Sequence, residues 1–304
     1  MAAPIAAQEP TDPVIKVDVE LVNLFCAVRD KKGGFIKNLE KPDFTVLEDG
    51  KQQDIRNFSR ESNLPLTIGL LVDVSKSQEN LIETERRAAG QFFKQILREK
   101  DMAFVISFGA EAELLQDSTN SARLLQKGLD GMRPSFGSGG LHPNPTGQKP
   151  RGTIMYDAVY LAANEKLRRE VGRKVIVLIT DGMDYGSRIT RAEAIAESLK
   201  ADAIVYSIYY TDSRYGGFGG FSGSDGDLKK MSEETGGRVF HVSGRNGLSE
   251  IFREIDEEMR SQYNIAWSPS EPAKDGAFRK IDVKVANKDH RVHARKGYFT
   301  QPRA

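Results

Sequence analysis

Between Leu66 and Tyr210 the chain repeats one pattern, a short apolar run followed by an amphipathic stretch. The runs are LTIGLLVDV (66–74), MAFVISF (102–108), RKVIVLIT (173–180) and AIVYSIYY (203–210). The first is apolar almost throughout, as in a strand covered on both faces, and the third is apolar after its first two residues. Residues 79–98 place Leu81, Ala88, Ala89, Phe92, Phe93, Ile96 and Leu97 on one broad helical stripe. SARLLQKGLDGM, TIMYDAVYLAANEKLRRE (153–170), RAEAIAESLKADA, DLKKMSEETGG and LSEIFREIDEEMRSQ read as further helices, with RVFHV as a last strand. Strands alternating with helices of this length predict a mostly parallel sheet with helices on both faces, a doubly wound α/β fold.

The two ends have another texture. VIKVDVELVNLFCAVRD alternates apolar and polar positions, and DFTVLEDGKQQDIRNFS reads as a hairpin turning at Asp49-Gly50, with no helix expected before Pro65. After Tyr263, YNIAWSP, FRKIDVKVA and HRVHARKGYF alternate again. Neither end is large enough for a core of its own, so the two are expected to pair into one small β-sandwich. The expected division of the 304 residues is a flexible N-terminus at 1–13, a sandwich from 14–62 and 262–304, and the α/β domain at 63–261.

Composition narrows the partners. With 44 basic and 43 acidic residues the net charge is +1, which gives no general attraction to nucleic acid or anionic membranes. The basic cluster from Arg168 to Lys174 reads as solvated surface at a helix end. No apolar run reaches the roughly 18–20 residues of a membrane-spanning helix. The opening MAAPIAAQEPTDP lacks a basic region and an apolar core, and is expected to be either the remnant of an export signal or plain chain. Cys26, the single cysteine, reads as a small buried hydrophobe, and leaves the redox compartment open. Two glycine-rich stretches, 134–152 and 211–227, are expected to be long loops, either functional or simple surface insertions.

Ligands of open parallel sheets bind beyond the carboxyl ends of the strands. Three separate segments deliver oxygen-bearing side chains to that edge: Asp73, Ser75 and Ser77 after the first central strand, Thr153 where a helix follows the first glycine-rich loop, and Asp181 after RKVIVLIT. Carboxylate and hydroxyl oxygens suit Mg²⁺, with Mn²⁺ or Ca²⁺ as substitutes, whereas zinc prefers thiolate or imidazole. The histidines do not offer a zinc site: His142 stands in a glycine-rich loop, His241 alone in a strand, and His290 and His293 point to opposite faces of another. Two carboxylates balance a dication without surplus charge, so an ion held this way keeps a coordination position for an outside carboxylate. Each residue also has an ordinary structural reading: Ser75, Ser77 and Thr153 as helix caps, Asp73 and Asp181-Gly182 as turns.

Asp73-x-Ser75-x-Ser77, then Thr153 in GTIMYDAV, then Asp181 in VIVLITDGMD, resemble the metal-ion-dependent adhesion site of von Willebrand factor A-type domains, over about residues 63–261. The flanking DFTVLEDGKQQDIRNFS, YNIAWSP, DGAFRKIDVKV and VHARKGYF are similar to a bacterial von Willebrand factor A-related family known mostly from acidobacteria, whose members are typically exported. The resemblance implies that Ser75 and Ser77 touch Mg²⁺ directly, that Thr153 does so directly or through water, and that Asp73 and Asp181 act largely through waters. It implies a protein partner presenting Asp or Glu, and a periplasmic or extracellular location. Some members change conformation on binding.

Enzymatic alternatives lack their parts. A haloacid-dehalogenase-type phosphotransferase needs a second carboxylate where Ser75 stands. No G-x-x-x-x-G-K-[ST] loop, strand-to-helix G-x-G-x-x-G or G-x-S-x-G elbow occurs. The expectation is a binding module and not an enzyme, with a scaffold carrying a structural metal site as the other non-enzymatic reading. Tyr209, Tyr210, Tyr215, Phe218 and Phe221 are expected near the same edge, either as an aromatic rim for a partner or as ordinary strand and loop residues.

Overall fold

A computed structural model describes residues 21–60, 64–135, 152–211, 225–244, 246–271 and 274–300. In chain order the strands are β1 (Val22–Arg29), β2 (Phe44–Glu48), β3 (Lys51–Gln53), β4 (Ile55–Ser59), β5 (Leu66–Asp73), β6 (Met102–Phe108), β7 (Ala112–Thr119), β8 (Arg173–Thr180), β9 (Ala203–Tyr209), β10 (Val239–His241), β11 (Tyr263–Trp267), β12 (Phe278–Val285), β13 (Arg291–Ala294) and β14 (Gly297–Phe299). The helices are α1 (Ile82–Ile96), α2 (Ala122–Asp130), α3 (Met155–Leu161), α4 (Arg191–Lys200), α5 (Gly226–Thr235) and α6 (Leu248–Arg260).

The central sheet has the order β10-β9-β8-β5-β6-β7. All neighbours are parallel except β7, which runs antiparallel to β6 at the edge. The doubly wound α/β class expected from the sequence is what forms. Every residue of β5 and β8 is buried, because both sheet faces are covered. On one face Phe92 and Phe93 of α1, Leu125 and Leu129 of α2 and Phe252 and Ile255 of α6 pack on Leu70, Val72 and Val177. On the other, Met155 and Val159 of α3, Ala194 of α4 and Leu228 and Met231 of α5 pack on Leu71, Phe104 and Ile176.

The two chain ends form two four-stranded antiparallel sheets, β13-β1-β11-β4 and β14-β12-β2-β3. Leu24, Cys26, Val46, Ile55, Tyr263, Ile265, Trp267 and Ile281 from both sheets share one core. Cys26 is fully buried there, as expected.

Several local expectations need correction. The chain after the Asp49-Gly50 turn is not one hairpin limb: pairing breaks at Asp54, so β3 stays with β2 while β4 crosses to β11 in the other sheet. HRVHARKGYF divides in the same way into β13 and β14. A 3-10 turn, Lys41–Asp43, forms before Pro65 where no helix was expected, with Pro42 early in it and a reciprocal cap between Glu40 and Asp43. α1 starts at Ile82, preceded by a 3-10 turn at Lys76–Gln78, and the helix of residues 153–170 is α3 followed by a π-helical turn, Ala162–Leu167. β7 was not anticipated, since AELLQDST is mostly polar and only an edge strand tolerates that. Arg173 and Lys174 are not solvated surface: they are 3% and 9% exposed where β8 begins beneath the paired sheets.

Candidate metal site

β5 and β8 lie side by side with Val72 opposite Ile179, so Asp73 and the pair Thr180-Asp181 leave the sheet at the same edge. The Asp73 carboxylate is fully buried and both oxygens are directed. Oδ1 accepts from the Ser75 backbone N–H at 2.9 Å, and Oδ2 accepts from the Thr180 hydroxyl at 2.6 Å. The Ser75 and Ser77 hydroxyls stand 3.2 Å apart. Ser75 occupies the cap position of the Lys76–Gln78 turn but makes no side-chain capping bond, so its hydroxyl is not spent as a cap.

Thr153 is brought in from the far side of the glycine-rich loop. The neighbouring Ile154 N–H donates to the Gly109 carbonyl at 2.9 Å. Gly109 in turn lies against Ser75, whose backbone nitrogen would be 3.6 Å from any Cβ there. The Thr153 carbonyl accepts from Tyr185 N–H at 3.0 Å, which ties it to the loop after Asp181. Gly152 permits that approach, because a Cβ would sit 2.7 Å from the Tyr185 Cβ. Thr153 is not a helix cap, since α3 begins at Met155 with Ile154 in the capping position. The Asp181-Gly182 turn does form: Asp181 Oδ1 accepts from Met183 N–H at 3.2 Å, and Gly182 takes φ +80°. Asp184 then fastens this loop to α3, accepting from Tyr156 N–H at 3.1 Å and from the Ser187 hydroxyl at 2.5 Å.

Burial, and secondarily the neighbouring Asp181 carboxylate, push the Asp73 pKa up to about 7. Neither carboxylate has an arginine or lysine partner among the described residues. Two carboxylates within electrostatic reach of each other, and the Ser75 and Ser77 hydroxyls 3.2 Å apart, are oxygens of the kind a hard dication prefers. Among the described residues no three His, Cys, Asp or Glu side chains are grouped closely enough to hold a metal alone, so hydroxyls would have to complete the shell.

Two residues behind this edge escaped the sequence reading. Glu85 of α1 is fully buried, and neither carboxylate oxygen has a hydrogen-bond partner among the described residues. Burial, then the charges of Asp73 and Asp181, hold its pKa well above the usual carboxylate range. Gln78 is also buried; its amide donates to the Tyr210 carbonyl at 3.2 Å, while Oε1 is unpartnered among the described residues. The available signal was a carboxylate interrupting the apolar stripe between Leu81 and Ala88.

Tyr209 closes β9 beside the site, near enough to the Asp181 charge for its hydroxyl pKa to rise, chiefly through burial and then through that carboxylate. Tyr210 packs on the core, while Tyr215, Phe218, Phe221 and His142 lie outside the described residues. His241 is not alone, since its Nε2 lies 2.9 Å from Asp225 Oδ2. An aromatic not anticipated at this edge, Tyr185, is 61% exposed.

No family model and no curated relative matches the chain. Among solved structures it is similar to an aerotolerance-related membrane protein from Bacteroides fragilis, at 18% identity and TM-score 0.49, over 64% of this chain and 98% of that one. It is similar to the von Willebrand factor domain of the type V pilus tip protein Mfa5 from Porphyromonas gingivalis, at 14% identity and TM-score 0.47, over 64% and 94%. A third likeness is to proximal thread matrix protein 1 of the mussel byssus with zinc in its MIDAS motif, at 15% identity and TM-score 0.49, over 70% and 49%. These are distant likenesses, and the reading of the site rests on its own geometry.

Proposed function

We propose that the chain is a von Willebrand factor A-type binding module that grips an acidic side chain of a partner protein through a divalent cation. Asp73, Ser75, Ser77, Thr153 and Asp181 hold the ion, Mg²⁺ by preference and Mn²⁺ or Ca²⁺ as substitutes. The observation that supports this reading is that Asp73 and Asp181 feel each other's charge with no basic partner among the described residues, while the Ser75 and Thr153 hydroxyls serve no helix cap.

The residues divide the work by position. Ser75, Ser77 and Thr153 would supply neutral oxygens to the ion, which keeps the charge balance favourable to an incoming anion. Asp73 is too deeply buried to meet a partner and orients the Ser75 turn and the Thr180 hydroxyl instead. A bound dication supplies Lewis acidity for one carboxylate oxygen of the partner. Tyr185 offers an exposed aromatic surface beside it. We assign 14–62 with 262–304 to the sandwich domain, 63–261 to the metal-binding domain, and the protein to the periplasm or cell exterior. No helix among the described residues is long and apolar enough to cross a membrane.

The test is capture of protein partners on the immobilised chain in Mg²⁺, with EDTA and Ser75→Ala as controls. A partner retained only with the metal, and lost in a Ser75→Ala variant that still melts cooperatively, is the expected result. A partner held equally in EDTA would leave only a scaffold role. Mg²⁺-dependent hydrolysis of phosphoesters, abolished in Asp73→Ala, would make the protein an enzyme instead.

A further inference from the structure

At the opposite edge of the central sheet, where β5, β8 and β9 begin, the paired antiparallel sheets do not close fully on the α/β unit. They leave a cleft of about 370 Å³. That volume lies within the range of small-molecule sites, which favour boundaries between folded units. Its walls are mixed in a specific way. Phe25 of β1, Leu64 and Leu199 supply apolar surface, and Val171, 82% exposed, stands at the rim.

Three charged side chains also line the cleft, and only two of them neutralise each other. Arg295 pairs with Asp202 and donates to the Asn23 carbonyl at 2.7 Å. Lys174 is 9% exposed and forms no salt bridge among the described residues; Asp202 and Glu170 reach it only by longer-range attraction. Its ammonium is therefore a partly desolvated cation with no ion-pair partner among the described residues, and burial, first of all, lowers its pKa from the ordinary lysine value. Asn264 stands in the same wall with Oδ1 unpartnered among the described residues. A partly desolvated ammonium without a direct ion-pair partner costs free energy that an anion in the cleft would return.

We propose that this cleft is a second ligand site, separate from the metal edge, and that it takes a small organic monocarboxylate, with the carboxylate on Lys174 and the apolar body against Phe25, Leu64 and Leu199. One cation without an ion-pair partner calls for one negative charge, which a monocarboxylate matches and a phosphate dianion exceeds. The site rests on the junction of the two units and not on any metal.

Saturation-transfer NMR and calorimetry with hexanoate and phenylacetate, using hexanamide as the uncharged probe, test the assignment. At least one carboxylate is expected to bind, and hexanamide about tenfold more weakly or worse. Lys174→Met should weaken carboxylate binding by a similar factor. Val171→Trp, at an exposed position where folding is undisturbed, should block the cleft. Mg²⁺ titration of both variants should match the unsubstituted chain, which separates this site from the metal edge. Absence of binding by both carboxylates at millimolar concentration overturns the proposal. Equal binding of hexanamide does the same, as does binding that survives in Val171→Trp.

Discussion

At the residue scale the decisive group is Asp73. Its folded-state pKa, about 7, lies above the 3.8 of an unperturbed aspartate, so the folded protein favours the protonated acid. By linkage this contribution to stability is complete below about pH 4 and is lost as the pH rises through about 7. Glu85, shifted in the same direction, adds to the trend. The melting temperature of the metal-free protein is therefore expected to decline between pH 5 and 8. A dication favours the ionised carboxylates, so saturating Mg²⁺ should offset that decline. The gap between melting temperatures with Mg²⁺ and with EDTA should then widen as pH rises through 7. Scanning fluorimetry across a pH series measures it directly, and a gap that narrows with rising pH would contradict the assignment.

At the element scale the two antiparallel sheets are held by a buried carboxylate. Glu48 at the end of β2 is 1% exposed. Its Oε2 accepts from the Trp267 indole of β11 at 2.7 Å and from the Tyr298 hydroxyl of β14 at 3.2 Å, and Oε1 accepts from Arg279 Nε of β12 at 2.9 Å. Strands of both sheets thus converge on one side chain. Glu48→Ala would strand the indole N–H and leave Arg279 only its partner Asp49 at 3.0 Å, a loss of about 1–3 kcal/mol. Urea unfolding should report it as a lower midpoint, with Glu48→Gln intermediate because the amide still accepts from the indole. Individual elements were readable at this scale where local signals agreed. DLKKMSEETGG forms α5 and ends on Gly236, at φ +94°. The break at Asp54 was not readable, because each half of the strand alternates correctly by itself and only a second sheet reveals the switch.

At the scale of the whole molecule, α6 joins the two units. It leads directly into β11, and its buried Glu258 accepts from Arg29 of β1 at 2.6 Å and from Arg238 at 2.9 Å. Glu254 on the same helix bonds Arg29 at 3.1 Å and Arg238 at 2.5 Å. Replacing Arg29 by methionine keeps the bulk but leaves Glu258 under-compensated in a dry setting, which costs about 3 kcal/mol. Hydrogen exchange should show faster opening of α6 and β1 together, while the centre of β5 stays protected. Exchange that changes in β1 alone would mean that the units are not coupled through this helix.

The sequence by itself determined the architecture of the middle and the edge at which Asp73 and Asp181 leave the sheet. Short apolar runs such as LTIGLLVDV, set between amphipathic helices, fit strands covered on both faces, and strand ends then carry Asp73 and Asp181 to one side whatever the loops do. The expectation of solvated surface held for Arg168 and Arg169 but failed for Arg173 and Lys174, because nothing local announces that another part of the chain will cover the start of β8. Glu85 was hidden for the related reason that a helical stripe tolerates one odd residue. Tertiary structure alone decided which polar groups lost their water. Desolvation depends on what packs overhead, and here the cover over Lys174 comes from chain ends far away in sequence.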